Sequence, residues 1–233
     1  MTLKDFWESR SASFEKDYGI RSDGVSKIAQ RIAGLIDGKL VLDIGCGPGV
    51  LAELYPKKTK VIGLDFSISM LKRAKNRISQ LVLGDSLNLP FRNEAFEIVT
   101  CFFVASDYSS KGNIFSEAYR VLESSGVFLF ADYSPKDEHW KFRREIRPLL
   151  GDSCDICAEE ENALSNKLTL TGFKVQETEF IRFNAEFRIE RYVKSDSELE
   201  RLQKAGPSLW ERLRDCSESR KIKREFVLII SAK

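Results

Sequence analysis

Apolar residues along this chain alternate between helical and strand spacing, and the changes of period mark out its elements. Leu3, Phe6, Trp7, Phe14 and Tyr18 recur at helical spacing with charges between them, which predicts an amphipathic helix near the N-terminus. A second helix starts at Ser22 or Asp23 as N-cap. It sets Val25, Ile28, Ala29, Ile32, Leu35 and Ile36 on one face and stops at Gly38. Short apolar runs then follow at Leu40–Leu42, Val61–Leu64, Leu81–Leu83, Phe96–Phe102 and Val127–Phe130. Between them lie helical patterns through Leu51 and Leu54, through Ile68, Leu71, Ala74 and Ile78, and through Ile114, Phe115, Ala118, Val121 and Leu122. From Ile181 to Val193 apolar and polar residues alternate, as in a half-buried antiparallel strand. Ser195 to Glu198 reads as a capping box opening a helix through Leu199 and Leu202; Gly206-Pro207 breaks it before Leu209, Trp210 and Leu213. Glu225 to Ser231 reads as a final strand. The alternation predicts a doubly wound α/β sandwich with ligands at the carboxyl edge of its sheet.

The first strand carries the chain's most informative stretch. Lys39 to Gly49 reads Lys-Leu-Val-Leu-Asp-Ile-Gly-Cys-Gly-Pro-Gly, an apolar run ending in Asp43 and then in Gly45, Gly47 and Gly49. Glycines at alternate positions allow a tight turn and a close approach of backbone to a ligand. A dinucleotide loop is spaced G-x-G-x-x-G and offers a diphosphate a helix N-terminus. Here the spacing is G-x-G-x-G, and the carboxylate of Asp43 repels a diphosphate but attracts a cation. An adenosyl compound with an ammonium group and no phosphate suits this loop, and S-adenosylmethionine is that compound. Two further acids follow at strand ends. Asp65, 22 residues beyond Asp43, can accept both hydrogen bonds of a ribose diol, and Asp85 follows 20 residues later in Gly84-Asp85-Ser86-Leu87.

The string Val41-Leu42-Asp43-Ile44-Gly45-Cys46-Gly47-Pro48-Gly49 resembles the first motif of the class I S-adenosylmethionine-dependent methyltransferases, of the ubiquinone/menaquinone-biosynthesis-like type. Tyr119 to Gly126 is similar to that family's Arg-Val-Leu-Lys-Pro-Gly-Gly turn, with the Lys and Pro replaced, and the resemblance runs from Leu40 to Tyr133. Leu164, Leu168, Thr171-Gly172-Phe173 and Lys174–Phe180 resemble its last helix, Gly-Phe corner and sixth strand. The resemblance implies a Rossmann-like three-layer α/β sandwich whose seven-stranded sheet is mostly parallel with an antiparallel last strand. It implies Asp43, Gly45, Cys46 and Gly47 at the methionine end of the cofactor and Asp65 at the ribose. Phe66, Asp85, Ser86 and Leu87 fall at the adenine, and Cys101 and Phe102 at the fourth strand end. Met70 reads equally as an adenine contact or as a core methionine, and Tyr18 as the aromatic of an N-terminal lid or of a packed helix. After the fourth strand, Ser106-Asp107 stands where the relatives often carry His-His, which leaves their acceptor open for this chain.

Composition narrows the class. At 233 residues, with 42% apolar residues and a formal net charge of +2, the chain can bury one sizeable core and shows no electrostatic sign of a nucleic-acid partner. The absence of an apolar leader or of a membrane-length run leads to the expectation of a soluble, cytoplasmic protein, of unknown oligomeric state with a homodimer as one option. Five scattered cysteines read as reduced thiols, and Cys154-x-x-Cys157, without a second pair at ligand spacing, gives no metal site.

The expected reaction is transfer of a methyl group to a small-molecule acceptor, leaving S-adenosylhomocysteine. Asp107, Tyr108, Tyr133 and His139 are the candidate bases; His139 also reads as a surface side chain and Tyr133 as sheet packing. Residues 1–37 are expected to form an N-terminal lid, and 134–160 with 182–222 a substrate cap, within one domain. The charged stretch Lys136–Arg147 within them also reads as a solvated face. A non-catalytic cofactor-binding subunit and a nicotinamide oxidoreductase are the two alternatives.

Overall fold

The computed structural model describes residues 5, 7, 8, 11, 23–105, 111–149, 161–187, 189, 193, 195–205 and 207–233. The strands are β1 (Leu40–Ile44), β2 (Lys60–Asp65), β3 (Gln80–Leu83), β4 (Phe96–Phe102), β5 (Leu122–Tyr133), β6 (Lys174–Glu186) and β7 (Lys221–Ala232). They form a seven-stranded sheet in the order β3-β2-β1-β4-β5-β7-β6. The pairs from β3 to β5 are parallel, and β7 runs antiparallel to both β5 and β6. The order reverses between β1 and β4, so the carboxyl ends of those strands border the crevice where such sheets take their ligands.

Helices cover both faces. On one side α1 (Asp23–Ile36) buries Ile28, Ile32 and Ile36 against Val41, Ile98, Leu129 and Leu228. On the other, α3 (Lys111–Val121) and α5 (Glu161–Thr171) bury Phe115, Ala118, Leu164 and Leu168 against Leu42, Val99, Phe128 and Ile229. The short α2 (Ile68–Ala74) is capped by Ser67, whose Oγ accepts the Met70 N–H at 3.1 Å. Its Leu71 packs with Ile78 and Cys46 beneath the glycine loop.

A third cluster lies beyond the sheet edge. Phe142 and Ile146 of α4 (Glu138–Leu149) meet Phe187, Val193, Leu202 of α6 (Asp196–Ala205), Leu209 and Leu213 of α7 (Pro207–Ser219), and Ile222. Asp137 fastens this assembly to the sheet. Its Oδ1 accepts the Trp140 N–H at 2.8 Å, while Oδ2 accepts Arg224 Nε at 2.8 Å and the Glu225 N–H at 2.9 Å. The Ser195 Oγ accepts the Glu198 N–H at 3.3 Å, the first half of the capping box.

Several expectations need correction. The alternating run after Ile181 does not begin a strand of its own; it continues β6 from Lys174 and ends at Glu186, because its partner β7 begins at Lys221. The last strand begins at Lys221, earlier than the apolar run suggests, since Lys221–Arg224 pair with β6 despite their charge. Lys136–Arg147 is not a solvated face: α4 turns Trp140, Phe142, Arg143 and Ile146 inward. Cys154, Cys157 and most of the predicted first helix lie outside the described residues.

Truncating Leu213, fully buried in the third cluster, is expected to lower stability by about 2–5 kcal/mol as Leu213→Ala, read from urea denaturation.

Candidate active site

The site is built from strand ends. Past β1 the chain turns through Gly45, Gly47 and Gly49 with φ of 68°, 53° and 76°, a region that favours glycine. A Cβ on Gly45 would stand 2.3 Å from the Val104 side chain, so the bare backbone is a steric requirement. The Gly47 N–H donates to Asp65 Oδ2 at 2.9 Å and the Ser67 N–H to Oδ1 at 2.8 Å. One carboxylate thus ties the glycine loop to the end of β2 and the start of α2. Each oxygen keeps a lone pair for a further donor such as a ribose hydroxyl.

Asp43 lies beneath this loop, opposite Thr100 in the β1–β4 register, and accepts the Thr100 hydroxyl at 2.8 Å. Burial is the main reason its carboxyl is pushed up to about 7; the Asp65 charge adds to this and the Thr100 bond opposes it. Burial also raises Asp65, against the backbone N–H groups it accepts. Two buried carboxyls in neighbouring strands favour a positively charged ligand. An ammonium group meets that need, and the open space beside Gly47 gives its carrier room.

Asp85 stands after β3 and spends Oδ1 on the Leu87 N–H at 2.9 Å, leaving the other oxygen outward. Ser86 is buried with no partner for its hydroxyl among the described residues. That is a polar atom suited to a base or ribose. Phe66 is half-buried beside Asp65, whereas Met70 is buried in α2. The side chains of Cys46 and Cys101 point into the core, and burial raises both thiols far above the usual range, so these two residues offer the site their backbone. Tyr18, Asp107 and Tyr108 lie outside the described residues.

At the end of β4, Phe103 adopts φ of 61°, which is strained for a bulky residue. The turn carries its ring to Phe226 (4.6 Å) and Tyr133 (5.3 Å). Tyr133 stacks on Trp140 at 6.1 Å and lies 6.3 Å from His139. His139 is buried at 6% exposure, which rules out the surface reading. The Arg224 guanidinium lies over the rings of Tyr133, Phe183 and Phe226.

Sequence reasoning missed Thr100, Arg224 and Glu8. The Glu8 carboxylate accepts the Ile68 N–H at 2.8 Å and the Ser69 N–H at 3.2 Å, bringing the N-terminal segment beside Asp65. No spacing could reveal these partners, because each is made by tertiary register.

A methyltransferase domain family matches residues 42–130, from the strand that carries Asp43 to the middle of β5. This segment of the chain is similar to the methyltransferase domains, and it holds the glycine loop, Asp43, Asp65 and Asp85. An uncharacterized protein of Methanocaldococcus jannaschii is 31% identical over 151 residues, 63% of this chain and 58% of the relative. A demethylmenaquinone methyltransferase of Corynebacterium kroppenstedtii is 36% identical over 98 residues, 42% of this chain and 43% of the relative. The chain spans about half the length of the curated relatives it matches. The crystal structure of a methyltransferase-like protein from Bacillus halodurans matches at a TM-score of 0.71 and 24% identity, covering 90% of this chain and 98% of that one; it shows the shared fold. No described helix is long and apolar enough to cross a membrane.

Because folding raises the Asp43 carboxyl from 3.8 to about 7, its contribution to stability is full below pH 3.8 and is lost as pH rises to about 7. Asp43→Asn is therefore expected to stabilise the ligand-free protein by roughly 1–3 kcal/mol at pH 8, and by little at pH 4, in urea denaturation. The same variant should bind S-adenosylhomocysteine poorly.

Proposed function

We propose that this protein transfers a methyl group from S-adenosylmethionine to a small, ring-bearing organic acceptor held between the sheet edge and the cap of α4, α6 and α7. The observation that carries the reading is the aromatic cluster of Phe103, Tyr133, Trp140, Phe183 and Phe226, which the residue after β4 forms with β5, α4, β6 and β7. S-adenosylmethionine supplies, when bound, an electrophilic methyl on a sulfonium that departs as a neutral thioether.

The chain's own residues supply binding and orientation. Asp43 and the backbone of Gly45 to Gly47 hold the methionine end, Asp65 the ribose, and Asp85, Ser86 and the Leu87 N–H the adenine. Phe66 flanks that ring, and the ends of Cys101 and Phe102 border the sulfonium side. The aromatic wall excludes water and fixes a planar acceptor, so that proximity and alignment provide most of the acceleration. Tyr133 and His139 stand together at the acceptor side and can take a proton from a hydroxyl or amine. Relatives named demethylmenaquinone methyltransferases support a small organic acceptor without choosing its nucleophilic atom.

The test is a screen of small acceptors with methyl-labelled S-adenosylmethionine. Transfer by the wild type, with about a 10²-fold loss of kcat in Tyr133→Phe or His139→Gln and unchanged S-adenosylhomocysteine affinity, is the expected outcome. Labelling confined to nucleic acid or protein, or full kcat in both variants, would refute the reading.

A further inference from the structure

Tyr55 follows the short helical turn Ala52–Leu54 that leaves the glycine loop, and its ring packs in the α1-side core. Its hydroxyl is buried and makes no hydrogen bond among the described residues, although the Thr100 hydroxyl and the Asp43 carboxylate are its polar neighbours. A phenylalanine would fill the same apolar space without leaving a hydroxyl unpaired, a penalty of about 1–3 kcal/mol. The hydroxyl therefore stands at a cost in the ligand-free fold, in line with a chain of groups that ends on Asp43.

We propose that Tyr55 is a positioning residue for the cofactor's amino-acid end: on binding, its hydroxyl donates to Thr100, which donates to Asp43, holding that carboxylate ionised and aimed at the ammonium group. The proposal rests on the reading of Asp43 as the ammonium site. Thr100 already donates to Asp43 Oδ1 at 2.8 Å, so its oxygen can accept from the neighbouring Tyr55 hydroxyl. Such aligned hydroxyls polarise one another and strengthen the terminal bond.

The charges around Asp43 make this assistance necessary. Asp65 from β2 repels it, and the other titratable groups facing it are Cys46 of the loop, Cys101 of β4 and Tyr55 itself, all held neutral by burial. None of these is a cation, so the donors and the incoming ammonium group must offset the desolvation of the carboxylate. Binding then drives a proton off Asp43 near neutral pH, and without Tyr55 the proton is held more tightly.

Calorimetry across pH 6 to 9 tests this with two ligands. The first is S-adenosylhomocysteine; the second is 5′-methylthioadenosine, which keeps the adenosine and lacks the amino-acid end. Tyr55→Phe should weaken S-adenosylhomocysteine about tenfold at pH 6.5, less at pH 8.5, and leave 5′-methylthioadenosine unchanged. The acid limb of the wild-type affinity profile should move to higher pH, with thermal stability equal or greater. Thr100→Val, which breaks the same chain at its middle, should shift the profile in the same direction and covers the case of a poorly folding Tyr55→Phe. Equal loss for both ligands, or an unshifted profile in both variants, would overturn the role of Tyr55. Failure of the wild type to bind S-adenosylhomocysteine would instead overturn the cofactor reading beneath it.

Discussion

The hydrogen bond from the Gly47 N–H to Asp65 is the contact on which the rest of the site depends. It joins a glycine-rich loop to the end of the neighbouring strand, and so fixes a backbone with wide conformational freedom. Asp65 can do this because β1 and β2 run parallel in register, Ile44 beside Leu64, so that both strands end at the same level. The Cys46 N–H to Leu64 carbonyl bond at 3.0 Å repeats the tie one residue earlier. With the loop held, Asp43 is shut beneath it, and burial changes an ordinary carboxylate into one that needs a cation or a proton.

The other half of the site follows from the far side of the sheet. Because β7 is antiparallel, its start rather than its end reaches the carboxyl edge, and Arg224 and Phe226 arrive beside Tyr133. The β6–β7 pair runs on past the end of β5 and brings Ile222 into the third hydrophobic cluster. Asp137 locks the first turn of α4 to that extension. Buried charge pairs of this kind contribute little net stability but fix geometry, which is what an acceptor pocket requires.

How much of this was legible in the chain depends on the range of the contact. The glycine loop, the three acids and the strand–helix alternation are local patterns, and they fall where the spacing puts them. Thr100, Tyr55 and Arg224 carry no local signal: a threonine in a strand, a tyrosine after a short helical turn, or an arginine in a charged run looks the same whether it faces a core, a ligand or water. Only the β1–β4 register brings Thr100 to Asp43, and only the antiparallel β7 brings Arg224 to Tyr133. The segments around α4, α6 and α7 were visible as stretches outside the motif, but their shared core was not, because its members are separated by the whole length of β6. His139 illustrates the limit. A lone histidine in a charged helix has no periodic partner, and its burial comes from the docking of α4.

The most direct test of the central claim, that this carboxyl edge is an S-adenosyl site and not a nicotinamide site, is calorimetric titration of the wild-type protein with S-adenosylhomocysteine in competition with NADH, repeated on Asp65→Ala. The account predicts binding of S-adenosylhomocysteine, no displacement by NADH, and a loss of about 2–4 kcal/mol in Asp65→Ala, which removes both the ribose acceptor and the tie to Gly47. Preferred binding of NADH, or S-adenosylhomocysteine affinity untouched by the substitution, would contradict it.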